Sequence, residues 1–264
     1  MPFRVELPPT FHEVVAERRA TQVGLWVCSG SATVAEIVAA SGCDWLLIDG
    51  EHSPIGLEST LAILQAVGAY PAVPVVRVPF GDTVLIKQFL DLGAQNLMVP
   101  MVHTAADAER AVAAMHYPPR GVRGVGSALA RSARWNRVEG YLANASEHVS
   151  LTVQVESAEA AENAAEILAV DGVDAVFIGP SDLAASMGLL GQQTHADVVR
   201  HVTDTISASN AAGKPVGVNA FNNEQAQQYI DAGADFVAVG ADVQLLAGST
   251  AALAEKFGAY NTKG

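Results

Sequence analysis

The sequence predicts an α/β protein, a single (β/α)8 TIM barrel spanning residues 1–264, and three observations carry that prediction. Eight short runs rich in Val, Ile and Leu recur along the chain, and each is followed by an alanine-rich segment of helical periodicity. Most repeats span about 22–30 residues, the length of one βα unit. No low-complexity linker or charge run divides the chain. A doubly wound open sheet is the structural alternative.

The first element is a short polar segment, about residues 9–20, that reads as a helix capping the bottom of the core. The strand-like runs follow as VGLWVCS (23–29), WLLIDG (45–50), VPVVRV (73–78), NLMVPMV (96–102), SLTVQVE (150–156), AVFIG (175–179), PVGVNA (215–220) and FVAVG (236–240). Gly42, Gly68, Gly93, Gly213 and Gly233 stand where helices should stop, in the position of a left-handed C-cap. Between 117 and 149 the regularity breaks, and a stretch that long is expected to be a functional loop with its own helix. The last helix, LLAGSTAALAEKF, is apolar enough to dock on another subunit.

Composition narrows the function classes. The chain is 50% hydrophobic and only 16% charged, which suits strands buried on both faces. A net charge of −13 argues against a nucleic-acid partner. The amino-terminal stretch has no apolar signal core, and no segment approaches a membrane span, so a cytoplasmic location is expected. Cys28 and Cys43 have neither disulfide nor metal-ligand spacing and read as buried thiols.

In a barrel the C-terminal strand ends open onto one face, where catalytic groups collect. Here they are Ser29, Asp49, Glu51, His52, Arg77, His103, Gln154, Glu156, Gly179, Ser181, Asp182, Asn219 and Asp242. Glu156 and Asp182 could share a hard divalent cation such as Mg²⁺ or Mn²⁺, though each could equally cap the helix that follows. Gly179-Pro180-Ser181 opens a helix and offers N–H groups to a carboxylate or phosphate. His52 could serve as a general base oriented by Asp49, or be a surface histidine in a turn. Arg77 needs a partner inside its apolar strand, either an anion in the mouth or an internal salt bridge. His103 falls near the cap of the next helix, and the glycines at 121, 124 and 126 match no phosphate-binding fingerprint. The four lysines, Lys87, Lys214, Lys256 and Lys263, fall away from the mouth, which excludes a Schiff-base mechanism.

The motifs WLLIDGEHSP, LIKQFLDLGAQNLMVPMV, YPPRGVRGVG, ARSARW, VQVES and VFIGPSDLAASMG resemble the metal-dependent pyruvate aldolases of the HpcH/HpaI family, from about Gly24 to Phe257. The resemblance implies a barrel of the phosphoenolpyruvate/pyruvate type and a homohexamer in which dimers exchange their last helix. It implies cleavage of a 4-hydroxy-2-oxo acid to pyruvate, or hydroxypyruvate, and an aldehyde. Glu156 and Asp182 match the ligands of a divalent metal (Mg²⁺, Mn²⁺ or Co²⁺), and Arg77 matches the arginine that steadies the keto oxygen and enolate. His52 matches a histidine that works with acidic partners, here Asp49 and an Asp91 supplied by a neighbouring subunit. Gln154 matches a group beside the metal, and Gly179, Pro180, Ser181 and Asp182 match the turn that grips the substrate carboxylate. Departures from the family pattern concern the aldehyde side: Asn219, Ala220 and Phe221 after the seventh strand, Ser53-Pro54-Ile55-Gly56, and His103. A citrate-lyase or malyl-CoA type of lyase, for which Arg120, Arg123, Arg131 and Arg134 would have to bind coenzyme A, and a non-catalytic oxo-acid-binding barrel are the competing readings.

Overall fold

A computed structural model describes residues 3–17 and 20–258. Eight parallel strands close into a barrel in sequence order: β1 (Gln22–Val27), β2 (Trp45–Asp49), β3 (Val73–Arg77), β4 (Asn96–Val99), β5 (Ser150–Val155), β6 (Ala175–Ile178), β7 (Val216–Asn219) and β8 (Phe236–Ala241). The connecting helices are α2 (Ala32–Ala39), α3 (Leu57–Val67), α4 (Thr83–Asp91) and α5 (Ala105–Met115), then α7 (Ala158–Glu162), α8 (Ala164–Ala169), α9 (Pro180–Ser186), α10 (Ala196–Ala211) and α11 (Asn223–Asp231). Before the barrel lies α1 (Phe11–Glu17), within the long connection lies α6 (Tyr141–Asn144), and at the end is α12 (Asp242–Gly258).

Strand alternation sets the layout. One parity faces the helices and builds the large outer core, with Leu46, Ile48, Val76, Leu97, Val153, Val176 and Val218 among its members. The other parity fills the barrel with Trp26, Trp45, Leu47, Val75, Met98, Phe177 and Phe236. Trp45 and Phe236 meet edge-to-face at 5.5 Å, and small residues make room for them. A Cβ on Gly24 would lie 2.2 Å from the Trp45 ring, and one on Gly217 would lie 2.1 Å from Phe236. Phe11 of α1 plugs the lower end against both rings, at 5.3 and 5.0 Å, and its N–H donates to Asn96 Oδ1. Of the segment 9–20 expected to form this cap, Phe11–Glu17 is helical, and residues 18–19 lie outside the described residues.

Three expectations need correction. The fourth strand stops at Val99, because Pro100 has no N–H to donate and Met101 adopts a left-handed φ of 55°. Gly42, Gly93, Gly213 and Gly233 take positive φ, but Gly68 stays right-handed at −66°. The alanine-rich segment expected to follow the fifth strand as one helix, AEAAENAAEILAV (158–170), forms two, broken at Asn163, whose Nδ2 donates to His103 O. The 117–149 connection does carry its own elements, α6 with three 3-10 turns around it.

Candidate active site

The inward parity that stacks the barrel aromatics continues upward as polar groups. Trp45 and Leu47 lead to Asp49, Val75 to Arg77, Thr152 to Gln154 and then Glu156, and Gly217 to Asn219. These side chains converge on a cavity of about 380 Å³ at the C-terminal strand ends, which His52, Pro180, Ser181 and Asp182 also line.

Arg77 is buried and fully engaged. Asp49 Oδ1 accepts from its Nε at 2.9 Å and lies 2.8 Å from Nη2, while Glu51 Oε2 lies 2.9 Å from Nη1. That Glu51 oxygen is buried and sits off the N–H axis, so the contact is an ion pair without a hydrogen bond. Beneath, the guanidinium stacks on Trp26 at 4.4 Å, and the indole N–H donates to Asn219 Oδ1 at 2.9 Å. Arg77 thus takes internal ion pairs, one of the two alternatives its sequence context left open.

Asp49 does not orient the His52 ring, contrary to the sequence reading. Its oxygens are occupied by Arg77, by the Glu51 and His52 backbone N–H groups at 3.0 and 3.3 Å, and by the Ser53 hydroxyl at 3.0 Å. The carboxylate beside the imidazole is Glu51, 3.9 Å from Nε2, and the His52 side chain is 66% exposed. Asp49 therefore shapes the turn, and the ring projects freely over the mouth.

Glu156 is buried, with Oε1 accepting from Met101 N–H at 2.7 Å and Oε2 from Gln154 Nε2 at 2.8 Å. Burial pushes its carboxyl up to about 7; the Met101 bond pulls the other way, and the negative charges of Glu51 and Asp182 add to the rise. Burial likewise raises Glu51, partly offset by Arg77 and His52. Asp182, exposed in the first turn of α9, looks onto the same space. Gly179 leaves room for the Glu156 head, since a Cβ there would stand 2.8 Å from Oε2. Glu156 and Asp182 thus line one cavity, with the charge of Glu51 near enough to raise the Glu156 carboxyl, while Arg77 is already committed to two partners; a pair of oxygen donors of this kind fits a hard divalent cation. Among the described residues no cluster of three or more His, Cys, Asp or Glu side chains is arranged to hold a metal, so Glu156 and Asp182 would leave the other positions to water and substrate.

Asp91 stands apart from this cavity at the end of α4, paired with the buried Arg123 at 2.9 Å. His103 precedes the Thr104 N-cap and bonds Ser157 Oγ at 2.8 Å. Ala220 packs in the outer core, because its parity points away from the mouth, so only Asn219 and Phe221 of that trio line the cavity. Met101 carries no signal at the level of sequence, because its contribution is a backbone N–H presented by a left-handed turn. Trp26 could have been found from its parity with Gly24 in β1. Lys87 lies within α4, and Lys214 donates to Val170 and Val173 carbonyls, so neither reaches the mouth.

Comparison with known proteins finds relatives along nearly the whole chain. A relative from Deinococcus radiodurans named hydroxypyruvate/pyruvate aldolase is 52% identical over 260 residues, covering 97% of this chain and 94% of that protein. A 4-hydroxy-2-oxo-heptane-1,7-dioate aldolase from Salmonella dublin is 50% identical over 238 residues, covering 90% of each. The crystal structure of an HpcH/HpaI aldolase/citrate lyase family protein from Burkholderia cenocepacia superposes with a TM-score of 0.89 at 38% identity, covering 93% of this chain and 97% of that one. The HpcH/HpaI aldolase/citrate lyase family model matches residues 22–249, and the chain belongs to that family.

Proposed function

We propose that this chain is a metal-dependent carbon–carbon lyase that reversibly cleaves 4-hydroxy-2-oxo acids to pyruvate and an aldehyde. The observation that carries the reading is the position of Arg77, locked by Asp49 and Glu51 and facing the Glu156–Asp182 pair across Gln154. The names of the two relatives support it, and 4-hydroxy-2-oxoheptanedioate is the substrate to try first. The Deinococcus relative supports hydroxypyruvate as a second nucleophile.

Glu156 and Asp182 would hold Mg²⁺, Mn²⁺ or Co²⁺, which when bound supplies Lewis acidity to the 2-oxo acid. The remaining steps fall to this chain's own residues. The N–H groups at Ser181 and Asp182, in the first turn of α9 where no helical carbonyl precedes them, receive the substrate carboxylate. His52 removes the proton of the C4 hydroxyl, the C3–C4 bond breaks, and the aldehyde leaves with its electrons retained on C3. Arg77 stabilises the charge that develops on the C2 oxygen of the enolate. Protonation at C3 gives pyruvate. Asn219 and Phe221 border the side from which the aldehyde departs.

A homohexamer with exchanged C-terminal helices, in which Asp91 reaches a neighbouring mouth, is part of the same proposal. Its support is α12, which is exposed along nearly its whole length beyond Asp242, including Leu245, Leu246, Leu253 and Phe257. No helix of the described residues is long and apolar enough to cross a membrane.

The test is pyruvate release from 4-hydroxy-2-oxoheptanedioate, followed by coupled lactate dehydrogenase. The enzyme is stripped with EDTA and then given back Mg²⁺, Mn²⁺ or Co²⁺. Activity that survives thorough stripping would remove the Glu156–Asp182 metal site from the reading.

A further inference from the structure

A second cavity, of about 630 Å³, lies at the end of the barrel opposite the mouth, beneath the loops that enter β3 and β4. The segment 5–9 closes one side of it, and Arg131 and Arg134 from the long connection enter from another. Arg131 Nη1 donates to Leu92 O at 2.8 Å, and Arg134 Nη1 donates to Arg131 O at 2.7 Å. Both nitrogens converge over Gly93, where a Cβ would lie 2.8 Å from the first and 2.5 Å from the second. The two Nη1 atoms can therefore be no further apart than the sum of those two distances.

Among the described residues neither arginine has a carboxylate partner, and Glu6, which lines the rim of this cavity, is exposed and pairs with neither. Both are half-buried. Burial depresses both guanidiniums, and for Arg134, lowered to about 10, the neighbouring charge of Arg131 contributes next. The backbone at Arg134, Trp135 and Asn136 holds left-handed φ values of 46°, 51° and 62°, an uncommon run for non-glycine residues, and it fixes the direction from which Arg134 enters. Like charges brought together in a partly desolvated groove repel unless an anion joins them. Capping backbone carbonyls uses one nitrogen of each fork and leaves the others available to a ligand in the cavity that both residues line. Val5, Leu7, Val14, Leu64 and Val67 supply apolar lining to the same cavity.

We propose that this floor cavity is a binding site for a small organic anion, its carboxylate held between Arg131 and Arg134 and its apolar body against the apolar lining at Leu7 and Leu64. The site is separate from the mouth and does not depend on the aldolase reading. Benzoate is the probe, with benzamide as its neutral counterpart and inorganic phosphate as an anion without an apolar body.

Calorimetric titration of the intact, metal-loaded protein should show saturable benzoate binding that pyruvate does not displace, with no benzamide binding and weaker phosphate binding. Arg134→Gln should weaken benzoate by roughly tenfold or more while leaving kcat and KM for pyruvate release unchanged. Ala69→Trp fills the same cavity from an exposed position, so it keeps the test valid should Arg134→Gln fail to fold. It should abolish benzoate binding. Displacement of benzoate by pyruvate, unchanged affinity in Ala69→Trp, or phosphate binding as tightly as benzoate would each overturn the proposal. A crystal structure of the assembly with a neighbouring copy's carboxylate between the two arginines would do the same.

Discussion

Asp49 and Arg77 are register partners on adjacent strands, and one carboxylate oxygen, Asp49 Oδ1, meets both Nε and Nη2 of the guanidinium at 2.9 and 2.8 Å. Because β2 and β3 are parallel and in register, the pair is fixed by the barrel itself and not by a mobile loop. The same oxygen also accepts the N–H groups of Glu51 and His52, so the ion pair and the histidine turn form one unit.

Asp49→Asn should keep the fold and loosen that unit. The amide can replace the oxygen but cannot hold the charge, and Arg77 will shift toward Glu51. We expect kcat for pyruvate release to fall by about 10²–10³, with a smaller change in KM, because the lost interaction belongs to the charge that develops in the reaction. Steady-state kinetics of the metal-loaded enzyme read this directly. A variant within twofold of the parent would show that Arg77 does not depend on Asp49.

The carboxyl of Glu156 makes the metal-free protein sensitive to pH. Its folded pKa, about 7, lies above the ordinary value of 4.5, so the folded state binds the extra proton. The stabilisation is fully present below 4.5 and is lost as pH rises through about 7, by roughly 3 kcal/mol at most. The EDTA-treated protein should therefore melt at a lower temperature at pH 8 than at pH 5.5, and Glu156→Gln should flatten that difference. A divalent cation should raise the melting temperature more at pH 8, where it meets an ionised site. If the parent and Glu156→Gln lose stability in parallel across this range, the pH dependence lies elsewhere.

Packing inside the barrel makes a sharper stability prediction. Gly217 precedes Asn219 by one inward step, and its missing side chain is replaced by the Phe236 ring. Gly217→Ala places a methyl within overlap distance of that ring, so Phe236 or β7 must move, at a cost of about 1–3 kcal/mol or more. Since β7 also carries Asn219 into the cavity, activity toward bulky aldehydes should change together with the denaturation midpoint. A midpoint equal to the parent's would mean that the ring has room to yield.

Much of this was legible from alternation alone. The eight runs and their helices were readable because most strands are buried on both faces and the helices repeat an apolar stripe. The parity that put Trp45 inside also put Asp49 inside, which is why strand-end residues were sound candidates. What alternation could not supply was partnership. His52 lies beyond the strand, where chain direction is set by the turn, and the turn takes up Asp49 through backbone N–H groups, leaving Glu51 beside the ring. Met101 was invisible because its N–H would be there with almost any side chain, and its left-handed φ is imposed by the surroundings. Ala220 was misread for the opposite reason: proximity to Asn219 in sequence is, on a strand, the guarantee of facing the other way.

The last helix tests the assembly. From Val243 onward α12 is exposed, with Leu245, Leu246 and Leu253 each about half or more accessible at 48%, 59% and 57%. Its root, Asp242, accepts the N–H groups of Cys28 and Ser29, just past the end of β1, at 2.8 and 3.1 Å, so the helix leaves the barrel in a fixed direction. An apolar helix held out in this way is expected to be covered by another copy of the chain. The double substitution Leu246→Glu, Leu253→Glu removes that cover while touching nothing inside the barrel. Analytical ultracentrifugation should show the parent as a hexamer and the variant as smaller species. Because Asp91 would then be lost to the neighbouring mouth, pyruvate release should fall with the assembly and not with the far-ultraviolet circular dichroism. A variant that sediments as the parent does would remove α12 from the interface, and a fully active monomer would remove Asp91 from the reaction.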